Sequence, residues 1–269
     1  MTVELGLTVE DAGGAARVPR VLDRRTRCLT EIPAVRRHGL LRMCVHLPCD
    51  TDRADITDVR ALLVGDLLFR ALEARGVQVQ HTFASPRLGP EKTEDLHRVM
   101  TAFGIHPPEA EAVVRSDIHV FTGGQQVDDA GVWIEVGQAW REPAATSEPL
   151  IPDAEGERDP LAVRLALLSC HYRAPVGLTP DLLAAAERAL SAWRGRVAGW
   201  ADAPSRPVPR DVRAQAEAAF ADDLGTPGVL AVLRRVEAAE TIPDGAKFET
   251  FALLDRVLGL ELTREVGRV

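Results

Sequence analysis

The chain has 269 residues, 46% hydrophobic and 27% charged, with a formal net charge of −8. That balance favours a packed core over disorder, and the length suits one large α/β domain or a sheet-containing domain with a helical extension. The negative charge argues against an unspecific nucleic-acid coat; with no long apolar run and no basic leader in MTVELGLTVEDAGG, a cytoplasmic protein without a membrane partner is expected.

Residues 1–40 read as a polar, partly irregular lead-in. Within it Arg24, Arg25 and Arg27, then Arg36 and Arg37, form a dense basic stretch. It is either a solvated surface or a contact for phosphate or a polyanion. Lysine occurs only at Lys92 and Lys247. LLRMCVHLP, short, apolar and closed by Pro48, predicts a buried strand. After the acidic DTDRAD, Val59, Leu62, Leu63, Leu67, Phe69 and Leu72 follow helical spacing, with Gly76 as terminator. VQVQHTF alternates and predicts a second strand. This is a βαβ beginning without a G-x-G-x-x-G phosphate loop.

Glu91 to Gly104 predicts another helix, followed by IHPP and a short acidic helix to Arg115. DIHVF and GVWIEV predict two strands around a turn, with Arg141 and Glu142 beyond them as exposed polar residues lacking an evident partner. The Pro-, Ser-, Thr- and acid-rich stretch up to Arg158 predicts a linker. The remainder is helical. An Asp-Pro start precedes LAVRLALLSCHYR, and Thr179 with Pro180 opens a helix whose burying stripe is Leu183, Ala186, Leu190, Trp193 and Val197. DVRAQAEAAFADDLG, the segment from Thr226 to Ala239, and FETFALLDRVLGL supply three more, together describing a bundle. Cys28, Cys44, Cys49 and Cys170 form neither a dense disulfide framework nor a CxxC pair.

The order of these segments resembles that of cysteinyl-tRNA synthetases and the related cysteine ligase of mycothiol synthesis. PRVLDRRTRCLTEIP resembles the family's early tail, and RMCVHLP the strand that supplies a metal-binding cysteine, which puts Cys44 at the metal position. DITDVR, Asp55 to Arg60, stands at the HIGHxR-like phosphate motif, before a helix similar to FDxxxRxLxxxG. MTAFGIHPPEAEAVVRSDIHVF, DPLAVRLALLSCHYRAPVGLTPDLLAAAERAL and DDLGTPGVLAVLRRVE resemble later family segments. The discontinuous match covers roughly residues 15–240 and is most specific in its helical part. It implies an α/β fold: a reduced class I synthetase-like Rossmann domain at 1–145, a linker at 146–158 and a C-terminal helical bundle at 159–269.

The resemblance also implies ATP and zinc, and the residues for both are depleted. Asp55 and Asp58 fall where the family's two histidines contact ATP phosphates, and Thr57 replaces the glycine that permits close nucleotide approach. Carboxylates accept hydrogen bonds and repel phosphate oxygens, so the local electrostatics are reversed. VGQAWREPAATSEPLIPDAEGERDP, where a lysine-rich KMSKS loop belongs, contains no lysine. The insertion carrying further zinc ligands is shortened, with no WHxEC-like or PHHE-like element. Each candidate keeps two readings. Cys44 binds a metal or thiol substrate, or is an inert strand cysteine; His119 lines a ligand pocket, or is an ordinary satisfied histidine; Trp133 lines a pocket, or packs a core or interface. Asp55 and Asp58 bind Mg²⁺ or an amine, or are exposed loop acids; Tyr172 and Arg173 edge the old site, or join the two parts of the fold. The expectation is a divergent protein without ATP-dependent cysteine adenylation that serves a protein or tRNA-related partner. The alternative is a specialised ligase or transferase acting on a small aminoacyl or thiol substrate.

Overall fold

The computed structural model describes residues 19–32, 40–47, 54–84, 89–108, 115–123, 130–142 and 159–268. Arg36, Arg37, Cys49, the acidic segment before Arg115 and the linker stretch fall wholly or largely outside them. The first elements are β1 (Arg20–Asp23) and β2 (Cys28–Glu31), an antiparallel hairpin. The reading of residues 1–40 as a polar, partly irregular lead-in names no strand there, and the hairpin adds two. Strands of four residues are too short to show a period, and the turn contains no Gly, Pro or Asn. Asp23 builds it instead, accepting from the Arg25 amide at 3.0 Å and the Thr26 hydroxyl at 3.3 Å, while Arg27 takes a left-handed φ of 56°.

Strands β3 (Leu41–His46), β4 (Val79–Ala84), β5 (Ile118–Thr122) and β6 (Val132–Val136) form a parallel sheet in the order β4-β3-β5-β6. β5 is buried at every position, as a parallel strand covered on both faces must be. Strands β5 and β6 do neighbour each other, but they run parallel, with Ile118 opposite Val132. The expected simple turn between them is therefore corrected: the connection has to carry the chain back to the other end of the sheet. The order reverses between β3 and β5, the kind of switch point where open α/β sheets bind ligands at the strands' carboxyl ends.

Helix α1 (Ile56–Glu73) buries 14 of its 18 residues. A Cβ at Gly65 would lie 2.6 Å from Val45 Cγ2 and 3.1 Å from His81 Nε2, so glycine sets how closely the helix meets the sheet. Helix α2 (Pro90–Ala102) packs beside α1. A second parallel pair, β7 (Ala139–Arg141) with β8 (Val176–Leu178), was not foreseen. Arg141 lies within β7, and Glu142 accepts the Trp140 indole N–H at 2.8 Å, which corrects its reading as a residue without a partner.

The remaining helices are α3 (Pro160–Leu168), α4 (Pro180–Trp200), α5 (Arg210–Ala221), α6 (Thr226–Ala238) and α7 (Asp244–Leu258). Asp159 caps α3 and Thr179 caps α4, each ahead of a proline in the first turn, and Gly259 ends α7 in the left-handed region. Helices α3 and α4 pack together, as do α5 and α6, while α7 touches α1, α4 and α6. The architecture is α/β, with a parallel four-stranded sheet and seven helices among the described residues, the arrangement of a class I synthetase-like Rossmann domain with C-terminal helices. No helix among the described residues is long and apolar enough to cross a membrane.

Candidate functional site

The DITDVR segment forms the start of α1, a helix whose length packs against β3 and β5. Asp55 is the N-cap: its carboxylate accepts from the Asp58 amide at 2.8 Å, and the Asp58 carboxylate accepts from the Asp55 amide at 3.1 Å, a reciprocal capping box. Asp58 is fully buried, which overturns its reading as an exposed loop acid, while Asp55 remains exposed. Burial, then the charge of Asp55, push the Asp58 pKa upward against the pull of Lys92, whose Nζ lies 3.0 Å from Asp58 Oδ2. The hydroxyl of Thr57 donates to Ala139 O at 2.9 Å and accepts from Ala139 N at 3.2 Å, stitching the helix to β7. Arg60 donates to the carbonyls of Gly137, Gln138, His171 and Ala174 at 2.6–3.1 Å. Every polar side chain of the motif is engaged within the fold. One atom, Asp58 Oδ1, is buried without a hydrogen bond among the described residues.

On the sheet, strand alternation and register bring three of the expected residues together. Cys44 lies opposite His119, and His119 opposite Trp133, so the three form one row across β3, β5 and β6. His46, two residues beyond Cys44 and so on the same face, joins them: its Nε2 is 2.9 Å from His119 Nδ1 and the rings stack. The alternation of β3 could have found His46. Burial, then the neighbouring imidazole, lower the His46 pKa to about 4, so it is neutral near pH 7. The Cys44 thiol is 3% exposed, and burial raises its pKa, with an opposing hydrogen bond to Thr82. Trp133 packs against His119 and Phe121 under the Arg25 guanidinium, and its buried indole N–H has no hydrogen-bond partner among the described residues.

Tyr172 and Arg173 lie elsewhere, converging on Asp223. The Tyr172 hydroxyl donates to Asp223 Oδ1 and Arg173 Nε to Asp223 Oδ2, both at 2.6 Å, while the Leu22 amide donates to Oδ1 at 2.9 Å. Burial, then the bond to Asp223, raise the tyrosine's pKa well above its usual value. Asp223, which the sequence reading did not single out, sits in the left-handed region at φ 55° and ties β1, the turn before β8 and the α5–α6 connection together.

Comparison with known proteins bears on this arrangement. No protein-family model matches the chain. An L-cysteine:1D-myo-inositol 2-amino-2-deoxy-alpha-D-glucopyranoside ligase of Geodermatophilus obscurus is 40% identical over 110 residues, 39% of this chain and 25% of that ligase. The cysteine–tRNA ligase of Paracoccus denitrificans is 41% identical over 105 residues, 39% of this chain and 20% of that enzyme. That of Rhodospirillum centenum is 38% identical over 101 residues. The chain is a partial relative of the cysteine ligases. The match spans about a quarter or less of each of these relatives. In this cysteine-ligase relative no three His, Cys, Asp or Glu side chains gather as a metal site among the described residues, so Cys44 lacks the donor set that zinc requires there. At the start of α1 the capping acceptors are two carboxylates, Asp55 exposed and Asp58 buried against Lys92.

Proposed function

We propose that this chain is a divergent cysteine-ligase-like protein without ATP-dependent adenylation, serving in the cytoplasm as an accessory protein for a protein or tRNA-related partner. The single observation that carries this reading is the engagement of Asp55, Thr57, Asp58 and Arg60 in the fold's own hydrogen bonds. A helix N-terminus attracts phosphate through free amides and its dipole. Here a capping box of two carboxylates already occupies the first turn. A phosphate brought within 4 Å of an ionised carboxylate meets a repulsion of about 4 kcal/mol at an effective dielectric near 20. The relatives' names, which include cysteine–tRNA ligases, support the tRNA-related class of partner. The test is cysteine-dependent exchange of pyrophosphate into ATP by the purified chain: no exchange is expected, and robust exchange would end the proposal.

A second reading, a ligase or transferase that receives an already activated aminoacyl group, draws on the row of His46, His119 and Trp133 with its unpartnered indole N–H. Intact-complex mass measurement separates the two readings. A copurified small ligand favours transfer, and a copurified macromolecule favours the accessory role.

A further inference from the structure

A cleft of about 490 Å³ opens at the carboxyl ends of β5 and β6. Leu22 and Arg24 of the hairpin line one side, Glu135 lines the sheet side, and Arg173 and Pro175 line the side leading to β8. These walls are tied in place. Arg24 N donates to Trp133 O at 2.8 Å and Gly137 N to Tyr172 O at 2.9 Å, while Asp223 holds the Leu22 amide and the Arg173 guanidinium together.

We infer that this cleft binds the oxyanion of a small organic phosphate monoester or carboxylate through Arg24 and Arg173. Each arginine is tethered through Nε, Arg24 to Glu135 and Arg173 to Asp223, and the terminal Nη atoms of neither make a hydrogen bond among the described residues. The side chains are 48% and 44% exposed, so both forks are open to a ligand. A planar fork fixed at its inner nitrogen presents its outer two in the spacing that phosphate and carboxylate oxygens accept. Glu135 and Asp223 balance the two guanidinium charges, so what the cleft offers an anion is the pair of open Nη forks rather than a net positive charge. Its volume exceeds what a bare inorganic ion fills and falls in the range of organic ligand sites, and Leu22, Val136 and Pro175 supply apolar wall for the ligand's body. The cleft lining borders the start of α1 through Gly137 and Gln138 but includes no residue of Asp55 to Arg60, so the inference stands whether or not adenylation has been lost.

Calorimetric titration of the full chain with phenyl phosphate and with benzoate tests this inference. Saturable binding of at least one is expected, weakened about tenfold or more by Arg24→Gln and by Arg173→Gln. Glu135→Gln removes the competing carboxylate and is expected to tighten binding, which damage to the fold would not do. Arg173 also anchors Asp223, so if Arg173→Gln fails a thermal-unfolding control, Arg24→Gln and Glu135→Gln decide. Tighter phenyl phosphate assigns a phosphate ligand, and tighter benzoate a carboxylate. No saturable binding up to about 10 mM of either anion overturns the inference. So does unchanged affinity in Arg24→Gln, or weakened binding in Glu135→Gln.

Discussion

Lys92 and Asp58 show how one charge pair fixes the chemistry available at the start of α1. Lys92 is 1% exposed and Asp58 0%, and the two meet at 3.0 Å. An ion pair this dry contributes little net stability against a well-packed apolar pair, yet removing one partner strands the other charge. Lys92→Met is therefore expected to cost about 3–5 kcal/mol, with Asp58→Asn in the same chain recovering most of the loss because the amide can still serve the capping box. Urea midpoints of wild type, single and double variants measure this; a single variant as stable as wild type would show that the pair is not what holds Asp58. The sequence displayed both acids and the rarity of lysine, but nothing local joins α2 to α1. Asp58 consequently read as a loop acid. The row of Cys44, His119 and Trp133 was legible only as separate residues, because register between strands distant in sequence is a tertiary property.

At the scale of elements, legibility followed the strength of local signals. Helix α1 has an apolar period over 18 residues, and α4 has Thr179 and Pro180 at its start, so both could be read directly. The hairpin and the β7–β8 pair, with strands of three or four residues, offered too few alternations. Side chains that join elements were equally invisible. Buried Asp66 on α1 accepts from Arg164 Nη2 of α3 at 2.6 Å, from Arg70 Nε at 2.8 Å, and from the ring and amide of His106 at 2.8 and 3.0 Å. Arg164 also donates to Phe103 O at 2.9 Å and to Leu258 O at 2.7 Å, so one guanidinium holds the ends of α2 and α7 to α1. Arg164→Met should cost about 3–5 kcal/mol, and Arg70→Met about 1 kcal/mol, since Arg70 is partly solvated and leaves Asp66 its other donors. Denaturant titration of the two variants gives the comparison, and equal losses would show that Arg164 is not the joint.

For the molecule as a whole, His81, His46 and Asp66 contribute a two-stage loss of stability in acid, opposed by Asp58 and Asp255, whose pKa values burial raises. His81 is 4% exposed with both ring nitrogens unbonded among the described residues, and burial lowers its pKa from 6.5 to about 4 against the opposing pull of Asp66; His46 is lowered to about 4 as well. Between pH 6.5 and 4 the unfolded chain takes up protons on these rings and the folded chain does not, so stability falls as pH falls. The full shift at His81 amounts to about 3 kcal/mol by pH 4, with less from the more exposed His46. Asp66 acts lower. Burial alone would raise its pKa, but the hydrogen bond from His106 and the charges of Arg164 and Arg70 hold it well below the usual carboxylate value of 3.8. Its stabilisation is intact above that value and drains away beneath it. His81→Leu removes the larger part of the first stage and leaves the second. Its stability should decline less steeply than wild type from pH 6.5 to 4 and in parallel below, with no loss at pH 7 because two unsatisfied nitrogens leave the core. Urea denaturation at half-unit pH steps resolves the two stages, and an unchanged slope above pH 4 would remove His81 from the account.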